Sequence, residues 1–167
     1  MVASAAVRHA ARVGRPFVLA PTAARRLDLG NFGARVLATG EETDGQFSLL
    51  ETLGEPAGFG PPMHIHHDAA EAFFVLEGEY AMHIDREQYV CPPGTFVYVP
   101  AGVPHTFSVR GPGDGRKLNL FTPHAMVGFF EDLAAAEAAG TADEEELGRI
   151  SARHHMEVVG PVPDSYL

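Results

Sequence analysis

The sequence predicts an all-β fold, a sandwich or barrel of short strands, followed by two helices. Between residues 34 and 121, eight short runs of alternating apolar and polar residues are separated by turn residues. The chain contains 18 Gly and 13 Pro, which is typical of a fold with many tight turns. After Phe121 the apolar residues recur every three or four positions, the period of a helix.

The segment before the predicted barrel, residues 1–29, is basic and rich in Ala. It has no acidic residue before Asp28, and it carries five arginines: Arg8, Arg12, Arg15, Arg25 and Arg26. A targeting presequence has a similar composition. We expect instead an N-terminal arm that packs on the domain or on a neighbouring subunit.

The barrel is predicted over residues 30–121. Its strands are expected at residues 34–38, 46–53, 63–66, 72–77, 80–84, 96–99, 105–109 and 117–121. Each run has the two-residue alternation of a strand with one buried face. Gly and Pro between the runs indicate turns rather than helical connections.

Residues 122–167 are predicted to form two helices and an extended tail. Thr122-Pro123 suits an N-cap followed by a first-turn proline, and apolar residues recur at helical spacing from Met126 onward. Gly140 is expected to end this helix. A capping box over residues 141–144 is expected to open the second one.

The composition disfavours several functional classes. The 167 residues are about one domain's worth, and 12 Lys plus Arg against 22 Asp plus Glu give a net charge of −10. Such a charge disfavours nucleic acids and anionic membranes. No apolar run approaches the roughly 20 residues of a membrane helix. Cys91 is the single cysteine, so we expect a reducing, cytoplasmic location.

A cluster of histidines indicates a metal site. His64 and His66 are two residues apart in a strand-like run, so their side chains leave the same face. His67 has the opposite parity and should point away. Glu71 begins the next run and can turn back toward the pair. Two histidines and one carboxylate with open positions can bind a metal that activates oxygen or polarises a carbonyl.

A second segment strengthens this interpretation. Residues 94–105 predict a strand, a rigid Pro-Ala-Gly turn and a returning strand that places His105 inward. Isolated histidines in strands are more often surface or hydrogen-bonded core residues, so the histidine-rich run alone would be a weak signal. Two segments that converge on one site make the signal specific.

The chain resembles a single-domain cupin. The first motif of that family (Gly, five residues, His-x-His, three or four residues, Glu, six residues, Gly) is matched in full by Gly58, His64, His66, Glu71 and Gly78. The second motif is matched by Gly94, Pro100, Gly102 and His105, while Val109 stands where the family has Asn. The resemblance implies a double-stranded β-helix, a jelly-roll barrel.

The resemblance also implies the ligands of one divalent transition metal: His64, His66, Glu71 and His105. Mixed nitrogen and oxygen ligation suits Fe, Ni, Mn, Co, Cu or Zn and does not choose among them. An octahedral ion would keep two open positions for water, oxygen or an anionic substrate. A structural metal, or none, is the alternative.

Other residues carry weaker signals. An apolar substrate pocket could be lined by Phe47, Phe73, Met82, Phe107 and Met126, although each is equally suited to the core. His124 could reach the mouth of the barrel. His154 and His155 lie at a predicted helix C-terminus, where a positive ring is favourable for structural reasons alone.

Three functional hypotheses remain open. The arrangement is similar to bacterial quercetinase-like proteins, which implies a metal-dependent dioxygenase on a small aromatic or enolic substrate, with Glu71 as the base. A non-redox isomerase or polyketide-type cyclase could use the same metal, and a small-molecule-binding module without catalysis could use the same barrel. Small cupins commonly dimerise, so we also expect a homodimer.

Overall fold

The computed structural model describes residues 15–161, and every structural statement below concerns that range. It contains eleven strands and two helices. The elements are β1 (Arg25–Asp28), β2 (Gly33–Ala38), β3 (Ser48–Glu55), β4 (His64–His66), β5 (Ala70–Glu77), β6 (Glu79–Ile84), β7 (Glu87–Cys91), β8 (Phe96–Val99), β9 (His105–Arg110), β10 (Gly115–Thr122), α1 (Val127–Ala139), α2 (Glu144–Arg153) and β11 (Met156–Val158). Two antiparallel sheets confirm the predicted fold class.

The two sheets form the walls of a barrel. The six-stranded sheet has the order β1-β2-β3-β10-β5-β8, and the five-stranded sheet has the order β11-β4-β9-β6-β7. Side chains of one parity on each strand face inward, which is why the expected alternation is visible in the sequence. In register, Phe121 lies opposite Glu71, and Lys117 lies opposite Val75 on β5.

Two hydrophobic clusters form the core. One lies inside the barrel and includes Phe73, Met82 and Phe107. The other includes Leu50 and Phe121, and α1 packs against it with the predicted apolar residues Phe129, Phe130 and Leu133. The first helix therefore covers one end of the barrel.

Three strands were missed by the sequence analysis. β1 lies within the segment predicted as an arm and pairs with β2 at the edge of the larger sheet. β7 is an edge strand whose first four residues are exposed, so it lacks an alternating pattern. β11 has three residues and lies in the predicted tail. Residues 1–14 of the predicted arm and residues 162–167 of the predicted tail lie outside the described range.

The predicted starts of both helices were wrong in detail. Thr122 is the last residue of β10, opposite Ala70 of β5, so strand pairing and not a helix cap determines its conformation. The first helix starts five residues later, at Val127. The second starts within the predicted box, but its cap is the Asp143 side chain, which accepts from the Glu146 amide at 2.8 Å. Gly140 ends the first helix in the left-handed region, as predicted.

A buried ion pair lies on the opposite face of the larger sheet. Glu51 is 2% exposed because Arg35 and Arg116 cover it, and each arginine Nε donates to its carboxylate at 2.6 Å. Burial by itself raises the pKa of Glu51, but these hydrogen bonds outweigh it and hold the pKa below the ordinary value.

Neither described helix is long and apolar enough to cross a membrane.

Candidate metal centre

Four buried side chains from three strands converge at one end of the barrel. His64 and His66 lie on β4, Glu71 lies on β5, and His105 begins β9. Their donor atoms all lie within 4.8 Å of one another. The four residues are between 3% and 6% exposed. The structure therefore brings together all four residues that the resemblance implies as ligands.

Backbone carbonyl groups orient two of the imidazole rings. The Nδ1 atom of His64 donates to the carbonyl oxygen of Pro62 at 2.8 Å. The Nδ1 atom of His105 donates in the same way to Val103 at 2.9 Å. A carbonyl oxygen can only accept, so Nδ1 carries a proton in both rings and Nε2 is left as the ligand atom. This is the usual way in which proteins orient histidines that bind metals.

Glu71 holds the other side of the cluster. Its Oε2 atom lies 3.0 Å from Nε2 of His66 and 3.0 Å from Nε2 of His105. Burial by itself raises the pKa of Glu71, but the hydrogen bonds from these rings outweigh it and hold the pKa well below its usual range. Burial lowers the pKa of His105, but the hydrogen bond to Glu71 outweighs this and raises it. The carboxylate is thus kept ionised, as a ligand must be.

The pKa of His64 is shifted in the opposite direction from that of His105. Burial, together with the neighbouring His105, lowers the pKa of His64 from 6.5 to about 4. His64 therefore stays neutral at neutral pH. A neutral imidazole is the form that binds a metal.

The donor set fits one divalent transition metal. Three imidazole nitrogens and one carboxylate oxygen are the mixed ligands that such ions accept, and they leave room for further ligands in octahedral coordination. The single carboxylate would leave a divalent ion with a net charge of +1. An anionic oxygen on a small molecule would then be attracted to the same position.

Aromatic side chains form the layer beneath the cluster. The ring of Phe73 lies 6.3 Å from that of His105 and 6.0 Å from that of Phe107. Of the five candidate pocket residues, these two and Met82 belong to the barrel core. Phe47 is half-buried. Met126 lines an open cavity of about 220 Å³ that adjoins His66.

A buried lysine below this layer was missed by the sequence analysis. Lys117 is 1% exposed, and its Nζ atom donates to Glu55 at 2.6 Å and lies 3.9 Å from the centroid of the Phe107 ring. Tyr80 also donates to the Glu55 carboxylate. Burial lowers the pKa of Lys117 in spite of Glu55. The sequence does carry a signal for this burial, because two-residue alternation places Lys117 on the same inward face of β10 as Phe121.

His67 and Cys91 lie outside the cluster. The side chain of His67 is 49% exposed, and its Nε2 atom lies 2.8 Å from the Glu157 carboxylate on β11. This is the outward position that parity predicts. Cys91 is buried at the end of β7, where burial raises the pKa of its thiol. Val109 is 2% exposed and packs in the barrel core.

A large part of the barrel matches a known protein family. Residues 53–121 match the family model of the cupin domain. Over 95 residues, or 57% of this chain, the sequence is 30% identical to quercetin 2,3-dioxygenase of Bacillus subtilis (strain 168). That alignment spans only 28% of the relative. The chain thus corresponds to less than a third of that curated protein.

Solved structures share the fold at low sequence identity. KdgF from Halomonas sp. superposes with a TM-score of 0.57 at 14% identity, over 65% of this chain and 94% of that one. Pac13 of Streptomyces, described as a nucleoside dehydratase, superposes with a TM-score of 0.56 at 10% identity, over 91% and 98%. At these identities the likeness concerns the fold alone.

Proposed function

Because this chain is a cupin, we propose that its four-residue cluster holds one divalent transition metal and that the protein is a dioxygenase. The substrate class is a small aromatic or enolic molecule. The observation that carries the proposal is the buried cluster of one ionised carboxylate and three imidazoles, two of which are oriented by backbone carbonyl groups. The similarity to quercetin 2,3-dioxygenase supports it over 57% of the chain.

The residues of the chain have distinct roles in this proposal. His64, His66 and His105 are neutral donors that hold the ion, and Glu71 supplies the only negative charge among the ligands. The ion would bring an ionised substrate oxygen and molecular oxygen to one place. The aromatic layer formed by Phe73 and neighbouring residues keeps water away from the inner side of the cluster.

Glu71 is also the candidate base that ionises the substrate. In the described arrangement its pKa is too low for this task, because His66 and His105 both donate to it. When the Nε2 atoms of these rings serve as ligands they no longer donate to Glu71, so its carboxylate would have an oxygen that can accept the substrate proton. The base role therefore depends on an occupied cluster.

Oxygen consumption tests the activity. Protein without a His-tag would first be analysed for its metal content and then reconstituted with each candidate metal. Oxygen uptake with a panel of flavonols and enols, measured against an anaerobic control, should be metal-dependent and should be lost in His105→Ala. His67→Ala is the matched control, because that ring lies outside the cluster. Turnover without oxygen would indicate an isomerase or cyclase, and binding without turnover would indicate a binding module.

We also propose that the protein is a homodimer in a reducing cytoplasm, which the buried free thiol of Cys91 suits. The second copy would cover an exposed aromatic surface on β5 and the edge strand β8, where Phe74, Phe96 and Tyr98 are 40%, 64% and 55% exposed. The basic residues 1–14 complement a body of net negative charge. Light scattering should give twice 17.9 kDa, and Phe96→Asp should give the monomer. A wild-type mass near 17.9 kDa at micromolar concentration would contradict the dimer.

A further inference from the structure

We propose that the open cavity beside the cluster is a subsite for a neutral ring that carries hydroxyl groups. The cavity has a volume of about 220 Å³, and His66 is one of the residues that line it. Its ligand would be the part of the substrate remote from the metal. The role of the cavity as a substrate subsite rests on the proposed function, but the recognition of the ring is assigned to residues 124–126 and 153–155, which are not proposed ligands.

Three separate segments of the chain form the cavity wall. The turn between β4 and β5 contributes Asp68, and the segment between β10 and α1 contributes His124 and Met126. The end of α2 and the residues after it contribute Arg153, His154 and His155. The C-terminal elements therefore build the cavity on the mouth of the barrel.

The hydrogen bonds of His124, His154 and His155 determine what the cavity can recognise. Nδ1 of His124 donates to the carbonyl oxygen of Gly45 at 3.2 Å. Nε2 of His154 lies 2.9 Å from a carboxylate oxygen of Asp132. Nδ1 of His155 pairs with the Asp68 carboxylate. In its neutral form, each ring thus uses its N–H on an oxygen, and its second nitrogen is an acceptor.

Glycines allow two of these rings to hold their positions. A Cβ atom at Gly40 would lie 2.1 Å from the ring of His124, and one at Gly128 would lie 2.7 Å from Cε1 of His154. Any larger residue at these positions would displace the rings. The glycines leave space for the rings, and the hydrogen bonds to Gly45 and Asp132 hold the rings there before a ligand arrives, which reduces the entropy lost on binding.

The charges around the cavity disfavour an anion. Arg153 is neutralised by Asp132, which its guanidinium contacts at 2.6 Å. Asp68 contributes a negative charge beside the ring of His155. Met126 offers an apolar contact for a ring face. Acceptors, a negative balance and an apolar wall together favour a hydroxylated ring over a carboxylate or a phosphate.

Binding of small aromatic probes to the metal-free protein tests the inference. Resorcinol, 1,3-dimethoxybenzene and benzoate would be titrated at pH 8, and the backbone amide signals of residues 124–126 and 153–155 would be followed by NMR. We expect resorcinol to bind with a dissociation constant of about 1 mM, as befits so small a ligand. Dimethoxybenzene should bind at least about fivefold more weakly, because it has no hydrogen to donate.

Substitution of the histidines identifies the acceptors. His124→Phe and His154→Phe each keep a planar ring but remove an acceptor, so each should weaken resorcinol binding about fivefold and leave dimethoxybenzene binding unchanged. His67→Phe is the matched control, because His67 does not line the cavity, and it should change neither. In each variant, the amide signals of residues outside the cavity should match those of the wild type.

Several results would overturn the inference. They are the absence of resorcinol binding at about 20 mM, equal binding of resorcinol and dimethoxybenzene, tighter binding of benzoate, and an unchanged preference in both variants. These measurements need neither metal nor turnover. A failure of the dioxygenase assay with a positive result here would therefore reject the proposed function and keep the subsite.

Discussion

The strand that carries two of the four cluster residues is held mainly by the C-terminal strand. β4 pairs with β9 at one position, His64 with His105, whereas β11 pairs with all three of its residues. Backbone hydrogen bonds continue on both sides: His67 donates to His155, and Val159 donates to Met63. The positions of His64 and His66 should therefore depend on β11.

We predict that Glu157→Pro loosens β4 and weakens metal binding. Glu157 is the central residue of β11, opposite Ile65. Proline there has no N–H, so one ladder hydrogen bond is lost and the carbonyl group opposite loses its donor. The cost is about 1–3 kcal/mol, which corresponds to a roughly 5-fold to 150-fold loss of affinity if the docked strand is required for binding.

Glu157→Ala is the matched control for this prediction. It removes the contact between His67 and the carboxylate, an exposed pair of small energetic value, but it keeps the backbone N–H. Zinc affinity would be measured by competition with a chelator, and amide hydrogen exchange would be followed at residues 64–66. The alanine variant should behave as the wild type, while the proline variant should exchange faster. Equal zinc affinity in the two variants would refute the reasoning.

Three further predictions concern buried charges. His66→Ala should reduce metal content steeply, whereas Glu71→Gln should retain more metal and lose turnover, because an amide oxygen can coordinate but is not a base. Metal analysis and oxygen uptake measure the two effects. Full activity of Glu71→Gln would contradict the role of Glu71 as the base. Lys117→Met should cost about 3–5 kcal/mol in urea unfolding, because it leaves Glu55 buried without a cation; the double variant with Glu55→Gln should recover much of this. Glu51 has a lowered pKa in the folded chain, so it contributes stability above pH 4.5 that is lost as the pH falls further, and unfolding of Glu51→Gln should depend less on pH in that acid range.

The barrel and the cluster could be predicted from the sequence because both depend on local patterns. Two-residue alternation shows which side chains face inward, and it places His64 and His66 on one face and His67 on the other. The motif spacing relates Glu71 and His105 to that pair. Eight of the eleven strands, β4 among them, overlap predicted runs, because each has one buried face and bounding turn residues.

Contacts between distant segments could be decided only by the tertiary structure. No local signal shows that three residues near the C-terminus pair with the strand of His64 and His66, because strand pairing depends on proximity in space and not on period. In the sequence, His154 and His155 are ordinary residues at a helix end. Only the tertiary structure shows that they line the same cavity as His66. Lys117 can be buried only because Glu55, 62 residues away in sequence, supplies the opposite charge at 2.6 Å. Periodicity reports which face of a strand is buried, but only the folded chain determines what that face meets.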